Sequence, residues 1–195
     1  KVSSIEHTTS APGVHPAVVL TPGQSTTTTL TLNAALTDPE TAAYVCLEKT
    51  EGLTLPTAEE ILRDCKAIAQ TGYILVENLK PSTTYVIAAA VANTGIYSEV
   101  NSIVMATGTP TPVVTLTAGA TAPTTLTFTV GLADTEKAAY VCLEKADGTP
   151  VPTAEKILTD GTAIAQAGEI TVDNLKDGTT YVIAVAASNK EVYSE

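Results

Sequence analysis

Tryptophan is absent from these 195 residues, phenylalanine and methionine occur once each, and there are two histidines. Without Trp, the planar platforms that sugar and base recognition favour are reduced to seven tyrosines. With two imidazoles, His7 and His15, both near the start of the chain, a base has few places to stand beside a nucleophile. Cationic side chains are scarce: Lys+Arg is 10 against 21 Asp+Glu, a formal net charge of -11. That balance excludes nucleic acid as a partner, because phosphate binding is driven by cations, and it excludes adhesion to an anionic membrane surface. No run approaches the ~18 apolar residues of a spanning helix, so no membrane insertion is expected, and the opening residues do not read as a signal peptide. The chain is nevertheless 44% hydrophobic and only 16% charged, too apolar and too weakly charged for disorder.

What is present is one unit written twice. Ala42–Lys49 (AAYVCLEK) recurs as Ala138–Lys145, a shift of 96, and from Ala42 to Glu99 the two copies align without a gap, with 37 of 58 positions identical. Upstream, Leu30, Leu36 and Asp38 meet Leu126, Leu132 and Asp134. Each copy is of ordinary domain size and large enough for a modest core. Charge divides evenly: residues 17–107 hold nine acids and four bases, residues 108–195 eleven and five. The junction, Ala106-Thr107-Gly108-Thr109-Pro110-Thr111-Pro112, reads as a short Pro-containing connector between two globules in line.

Within each copy the apolar period is two. Leu30, Leu32, Ala34 and Leu36 alternate with Thr29, Thr31, Asn33 and Ala35, and Leu126, Phe128, Val130 and Leu132 repeat the pattern, as half-buried strands do. Tyr44–Leu47 is a continuous apolar run that fits a central strand. Tyr85, Ile87, Ala89 and Val91 alternate again, but their opposite face carries Ala88, Ala90 and Ala92, unusually apolar for a face in water. Many short strands parted by turn residues favour an antiparallel sandwich. One short helix interrupts them. Thr57 and Glu60 form a capping box before Ile61 and Leu62. In the second copy Thr153 keeps its place, Lys156 replaces the glutamate, and Gly161 stands where a left-handed helix terminus is expected. Cys65 holds the equivalent position in the first copy, which predicts a differently shaped helix end there.

The stretch Leu79-Lys80-Pro81-Ser82-Thr83-Thr84-Tyr85, followed by alternating apolar residues and Asn93, resembles the signature of fibronectin type III domains. The resemblance covers both copies and implies an all-β chain: two tandem immunoglobulin-like (fibronectin type III) β-sandwiches, each with one short inserted helix. It implies that Tyr85 and Tyr181 pack inward and return their hydroxyls to upstream backbone. The second copy departs from the pattern with Asp177-Gly178 for Pro81-Ser82, still a turn pair. The family's strand-B Trp is missing, with Leu30/Leu32 and Leu126/Phe128 in its region. The Pro-Thr-Ala-Glu helix is similar to the variety found in bacterial cell-surface and secreted proteins. The domains implied are residues 17–107 and 112–195, the second without its last strand. Residues 1–16 form a leading segment resembling the final strand of a preceding repeat.

Candidate chemistry is sparse. His7 and His15 lack counterparts in the second copy and stand eight residues apart without a Cys or Asp cluster, a poor metal pair. Cys46 and Cys142 occupy the same mid-strand position and read as small buried apolar groups, while Cys65 stands near a helix end; a Cys46–Cys65 bridge within the first copy is open, but the second copy lacks its other half. Asp38-Pro39-Glu40 and Asp134-Thr135-Glu136 are acidic turns without the alternating ligands of a Ca²⁺ loop. Six tyrosines recur in pairs, Tyr44/Tyr140, Tyr85/Tyr181 and Tyr97/Tyr193, which suggests structural duty; Tyr73 faces Glu169 at the repeat shift and is the candidate contact residue. The alanine face is either a binding surface or the seat of the inserted helix. No catalytic, cofactor-binding or metal-binding residue is assigned. Val2-Ser3-Ser4-Ile5 resembles Val100-Asn101-Ser102-Ile103, so residues 2–9 are candidates for self-association through the edge that the second copy leaves open. The reading of the whole is a non-enzymatic extracellular or cell-surface module for adhesion, protein interaction or spacing, with a protein or glycan partner. Its alternatives are a glycan-binding accessory module and a strand-exchanging, pilus-like subunit.

Overall fold

A computed structural model describes residues 15–146, 148 and 150–194; His7 and residues 2–9 lie outside them. The chain divides into two compact units between Gly108 and Thr109. The first runs β1 (Ala17–Ser25), β2 (Leu30–Thr37), β3 (Thr41–Glu48), α1 (Ala58–Asp64), β4 (Lys66–Ala67), β5 (Gly72–Val76), β6 (Thr84–Asn93), β7 (Ile96–Tyr97) and β8 (Asn101–Ala106). The second runs β9 (Val113–Ala122), β10 (Thr125–Ala133), β11 (Lys137–Glu144), α2 (Ala154–Asp160), β12 (Thr162–Ala163), β13 (Gly168–Val172), β14 (Tyr181–Asn189) and β15 (Val192–Tyr193). All pairing is antiparallel.

In unit 1, a sheet of order β1-β2-β5 faces a second of order β4-β3-β6, with β7 and β8 both on the far side of β6. Between them Leu30, Leu32 and Ala34 from one sheet meet Tyr44, Tyr85, Ile87 and Val91 from the other, with Met105 of β8 closing the side. The period-two alternation of β2 thus becomes an inner face of aliphatics and an outer face of Thr31, Asn33, Ala35 and Thr37. Unit 2 repeats the plan with β13-β10-β9 and β12-β11-β14-β15. Its inner face uses Phe128, whose ring meets Tyr140 edge-on at 5.3 Å.

Strand β6 is buried from Tyr85 to Ala92, so both of its faces are interior. Such a strand reads as a continuous apolar run rather than an alternation. Its second face, Ala88 and Ala90 beside Ala43 of β3, seats Ile61 of α1; Ala139 and Ala186 seat Ile157 in unit 2. Small side chains let the helix approach the sheet, and burial of each isoleucine contributes about 1.5–3 kcal/mol. The alanine stripe is therefore the helix seat.

Both helices begin as expected. The Thr57 hydroxyl accepts from Glu60 N, and the Glu60 carboxylate accepts from Thr57 N at 2.8 Å; Thr153 accepts from Lys156 N. Their ends differ from expectation. Gly161 is extended (φ -80, ψ 175), not left-handed, and Cys65 is extended as well (φ -110, ψ -174). Gly161 serves close approach instead: a Cβ there would lie 2.4 Å from the Ile157 carbonyl oxygen. At Cys65 the corresponding N–H···O contact is 3.1 Å, against 2.8 Å at Gly161.

The tyrosine corners are formed. Lys80 N donates to Tyr85 Oη and Lys176 N to Tyr181 Oη, each at 2.9 Å. Thr107 completes the unit 1 corner: its buried hydroxyl accepts from Thr83 N and donates to the Lys80 carbonyl. Among the described residues no helix is long and apolar enough to cross a membrane, which leaves β-barrels unaddressed.

Candidate functional site

The thiols are the first candidates. All three are free. Cys46 packs toward the sandwich interior with Tyr44 and Ile87, whereas Cys65 packs on the opposite side with α1. They lie on different faces of β3 and form no bridge. Burial pushes the Cys46 and Cys142 thiols up from their ordinary values, which reduces the thiolate on which reactivity depends.

His15 lines a groove of about 440 Å³ with Tyr97, Ser98, Glu99 and Asn101. The hydroxyl there is committed: Ser98 Oγ accepts from Val91 N at 3.0 Å and donates to the Glu99 carbonyl at 2.8 Å. It is a turn fastener, and Ser194 repeats the first of these bonds at Ala187 N.

The acidic turns have a structural occupation that sequence reasoning missed. Glu40 Oε2 accepts from Thr94 N at 2.8 Å, and Glu136 Oε2 accepts from Lys190 N at 3.0 Å. Thr94 and Lys190 are left-handed, as are Asp38 and Asp134, so each glutamate ties two strained turns together. The signal was available: a carboxylate at the same offset in both copies. Among the described residues no group of three His, Cys, Asp or Glu side chains could hold a metal ion.

The tyrosines divide. Tyr44 and Tyr85 are buried, but Tyr97 and Tyr193 are exposed, so recurrence reports a shared position and not burial. Tyr73 is the most exposed of all, at 87%. It stands on the outer face of the β1-β2-β5 sheet, paired with Asn33, which in turn pairs with Thr21. Exposed Leu75, paired with Thr31, and exposed Val19, paired with Ala35, lie on the same face. At the repeat shift Val19, Tyr73 and Leu75 become Thr115, Glu169 and Thr171. The same position on the same sheet is thus apolar in unit 1 and polar in unit 2. Tyr73 was singled out from sequence; Val19 and Leu75 were not, although comparison of the copies marks them.

The class that this architecture defines is a tandem pair of immunoglobulin-like sandwiches with fibronectin type III topology. Among solved structures it is similar to a two fibronectin type III domain segment from chicken tenascin, with a TM-score of 0.52 over 91% of this chain and 93% of that one, at 13% identity. At that identity the likeness is one of fold. No family model and no curated protein sequence matches the chain.

Proposed function

We propose that this chain is a non-enzymatic extracellular module pair, of the kind displayed on or secreted from bacterial cells, and that unit 1 carries its contact surface. The observation that supports this is the outer face of β1-β2-β5, where Tyr73, Leu75 and Val19 are exposed together while their counterparts in unit 2 are Glu169, Thr171 and Thr115. Two copies of one fold, alike in core and different on one open face, fit a scaffold that has been given an address once. An exposed tyrosine with aliphatic neighbours fits a protein partner, since aromatic anchors dominate such contacts. A glycan is the second reading, favoured by Asn33 and Thr21 in line with the Tyr73 ring. Unit 2, with Thr115, Glu169 and Thr171 at the equivalent positions, serves as spacer. Extracellular placement draws on the family resemblance and on a fold that hosts many functions.

The test transplants the unit 2 face onto unit 1 with Tyr73→Glu and Leu75→Thr. Both positions are exposed, so the thermal midpoint is expected to stay where it is. The parent chain is screened against a glycan array and immobilised extracellular-matrix and cell-envelope proteins. Any binding found is expected to fall roughly tenfold or more in the double variant, as for loss of an aromatic anchor. Equal binding by both proteins would remove this face from consideration; binding by neither would leave the spacer role alone.

A further inference from the structure

Strand β5 is a sheet edge. It pairs with β2 on one side, and among the described residues no strand pairs with it on the other. The backbone groups on the open side follow from the flanking bonds. The Thr28 carbonyl accepts from Leu79 N, and Leu36 N donates to Thr71 Oγ1, so the even-numbered residues of β2 turn their amides and carbonyls toward β5. Their partners Gly72, Ile74 and Val76 answer them. By the alternation of a strand, Tyr73 and Leu75 turn their own amides and carbonyls to the open side. In the facing sheet the outermost strand, β4, is only two residues long. A groove of about 240 Å³ lined by Lys66, Gln70, Tyr73 and Leu75 borders the edge there.

Sheet edges are ordinarily kept from pairing with other chains by a charge, a proline or a bulge. Strand β5 has none of these: it reads Gly-Tyr-Ile-Leu-Val and runs in even register with β2. Tyr73 and Leu75 are exposed on its outer side, while Ile74 and Val76 are buried on the inner. Unit 2 has the same edge, since β13 ends its sheet and pairs with β10 residue for residue as β5 does with β2. There the two outward residues are Glu169 and Thr171. The units thus present one backbone template with two sets of side chains, and only the edge of unit 1 lacks a charge that discourages an added strand.

Strand β5 is also complementary to itself. Set antiparallel to a second β5 about a two-fold axis at Ile74, each Tyr73 exchanges both backbone bonds with the Leu75 of the other copy. The side chains then match. On the outer side each Tyr73 lies beside a Leu75; on the inner side Ile74 lies beside Ile74, and Gly72 beside the larger Val76. No charges of like sign stand opposite one another. Moving the axis to Leu75 would set Tyr73 against Glu77, and moving it to Tyr73 would set Leu75 against Thr71. The apolar pattern therefore selects the register centred on Ile74.

We propose that two copies of this chain join through β5 of unit 1, antiparallel about Ile74, so that their two β1-β2-β5 sheets become one continuous sheet. The same patch meets itself, so the contact is isologous and closes at two copies. This rests on the reading of the Tyr73 face as the contact surface and names a second copy as its protein partner. One strand is a small interface, so a weak dimer is expected, with Kd on the order of 10 μM to 1 mM.

Sedimentation equilibrium of the 195-residue chain, from about 10 μM to about 2 mM, is expected to show monomer and dimer and nothing larger. Amide exchange followed by NMR is expected to slow at Tyr73 and Leu75 as concentration rises and to stay unchanged at Glu169 and Thr171. Tyr73→Glu with Leu75→Thr should weaken the dimer roughly tenfold or more. The opposite transplant, Glu169→Tyr with Thr171→Leu, gives unit 2 an unguarded edge as well, and that variant should grow past the dimer. The proposal is overturned if the parent chain stays monomeric through the series, or if the Tyr73→Glu, Leu75→Thr variant dimerises as the parent does. It is equally overturned if the Tyr73 and Leu75 amides exchange alike in dilute and concentrated samples, or if the opposite transplant stops at the dimer. A monomeric chain that loses an outside partner on Tyr73→Glu with Leu75→Thr overturns the self-pairing and leaves the contact face standing. A chain that dimerises through β5, while that variant keeps its outside partner, does the reverse.

Discussion

The same six residues, Thr-Thr-Tyr-Val-Ile-Ala from Thr83 and from Thr179, lead into β6 and β14, yet Tyr85 through Ala88 are buried in one and Tyr181 through Ala184 half-buried in the other. Identical residues with an identical partner strand on one side differ because of the other side. Burial in a sheet is a property of the neighbours a strand acquires rather than of its own composition. In unit 1 the last strand removes Leu20, Tyr85 and Ile87 from water together; in unit 2 the equivalent residues stay half in it. The difference reaches beyond that edge: Leu30, Ile74 and Tyr44 are buried while Leu126, Ile170 and Tyr140 are half-buried, although Ile61 and Ile157 are buried alike under the helices.

The strongest way to break this comparison is at the helix seat. Ile61→Ala and Ile157→Ala each empty a buried site, and each is expected to cost about 2–5 kcal/mol. Amide exchange of β6 and β14 in the full chain reads the two units separately. Similar losses would keep the difference at the edge; a much smaller loss at Ile157 would mean that the open edge loosens the whole of unit 2.

A smaller effect sharpens it. Tyr85→Phe strips the acceptor from Lys80 N in a buried corner and is expected to cost unit 1 about 1–3 kcal/mol. Tyr181→Phe should cost less, because its corner is half-open and water can take the amide. Urea denaturation with exchange readout checks the order, and equal costs would count against edge coverage as the cause.

The smallest effect is one of pH. Hydrogen bonds from the Thr57 backbone and hydroxyl hold the Glu60 carboxyl below its usual range. A carboxyl depressed on folding stabilises at neutral pH, and that contribution is lost as pH falls through the depressed value. Unit 2 has Lys156 at this place, paired with Asp160 and raised above its usual value. The contribution of Lys156 is lost as pH rises through the raised value, and the Thr153 backbone of α2 has no capping carboxylate to lose in acid. On acidification the first turn of α1 should therefore open in amide exchange before that of α2. Both groups are exposed, so only the order is predicted.

Much of this was legible in the sequence. Period-two alternation placed the inner face of β2, the Leu-Pro-Thr-Tyr signature placed the corner, and the Thr-x-x-Glu spacing placed the helix start. These are local signals, each carried by a few consecutive residues. The alanine stripe was legible as apolar but not as to what covered it, because that depends on where α1 returns in space. Gly161 misled for a related reason: glycine marks either a left-handed backbone or a close approach, and only the proximity of the Ile157 and Tyr140 carbonyls separates the two. The depth of Tyr97 and Tyr193 was not legible, because recurrence reports shared position only. The Tyr73 face was half-legible; its aliphatic partners emerge only when strand register puts residues from β1, β2 and β5 side by side.

The helix on the alanine stripe has a consequence for how such chains diverge. It converts the sandwich into three layers and withdraws one of the two outward sheet faces from variation, since any side chain larger than alanine at Ala88 or Ala90 would lift the helix. Variation in the sheets is left with the β1-β2-β5 face, where Val19, Tyr73 and Leu75 of one copy stand against Thr115, Glu169 and Thr171 of the other on the same strand framework. Each added copy would bring one more surface free to be rewritten, at no risk to the folds already in place.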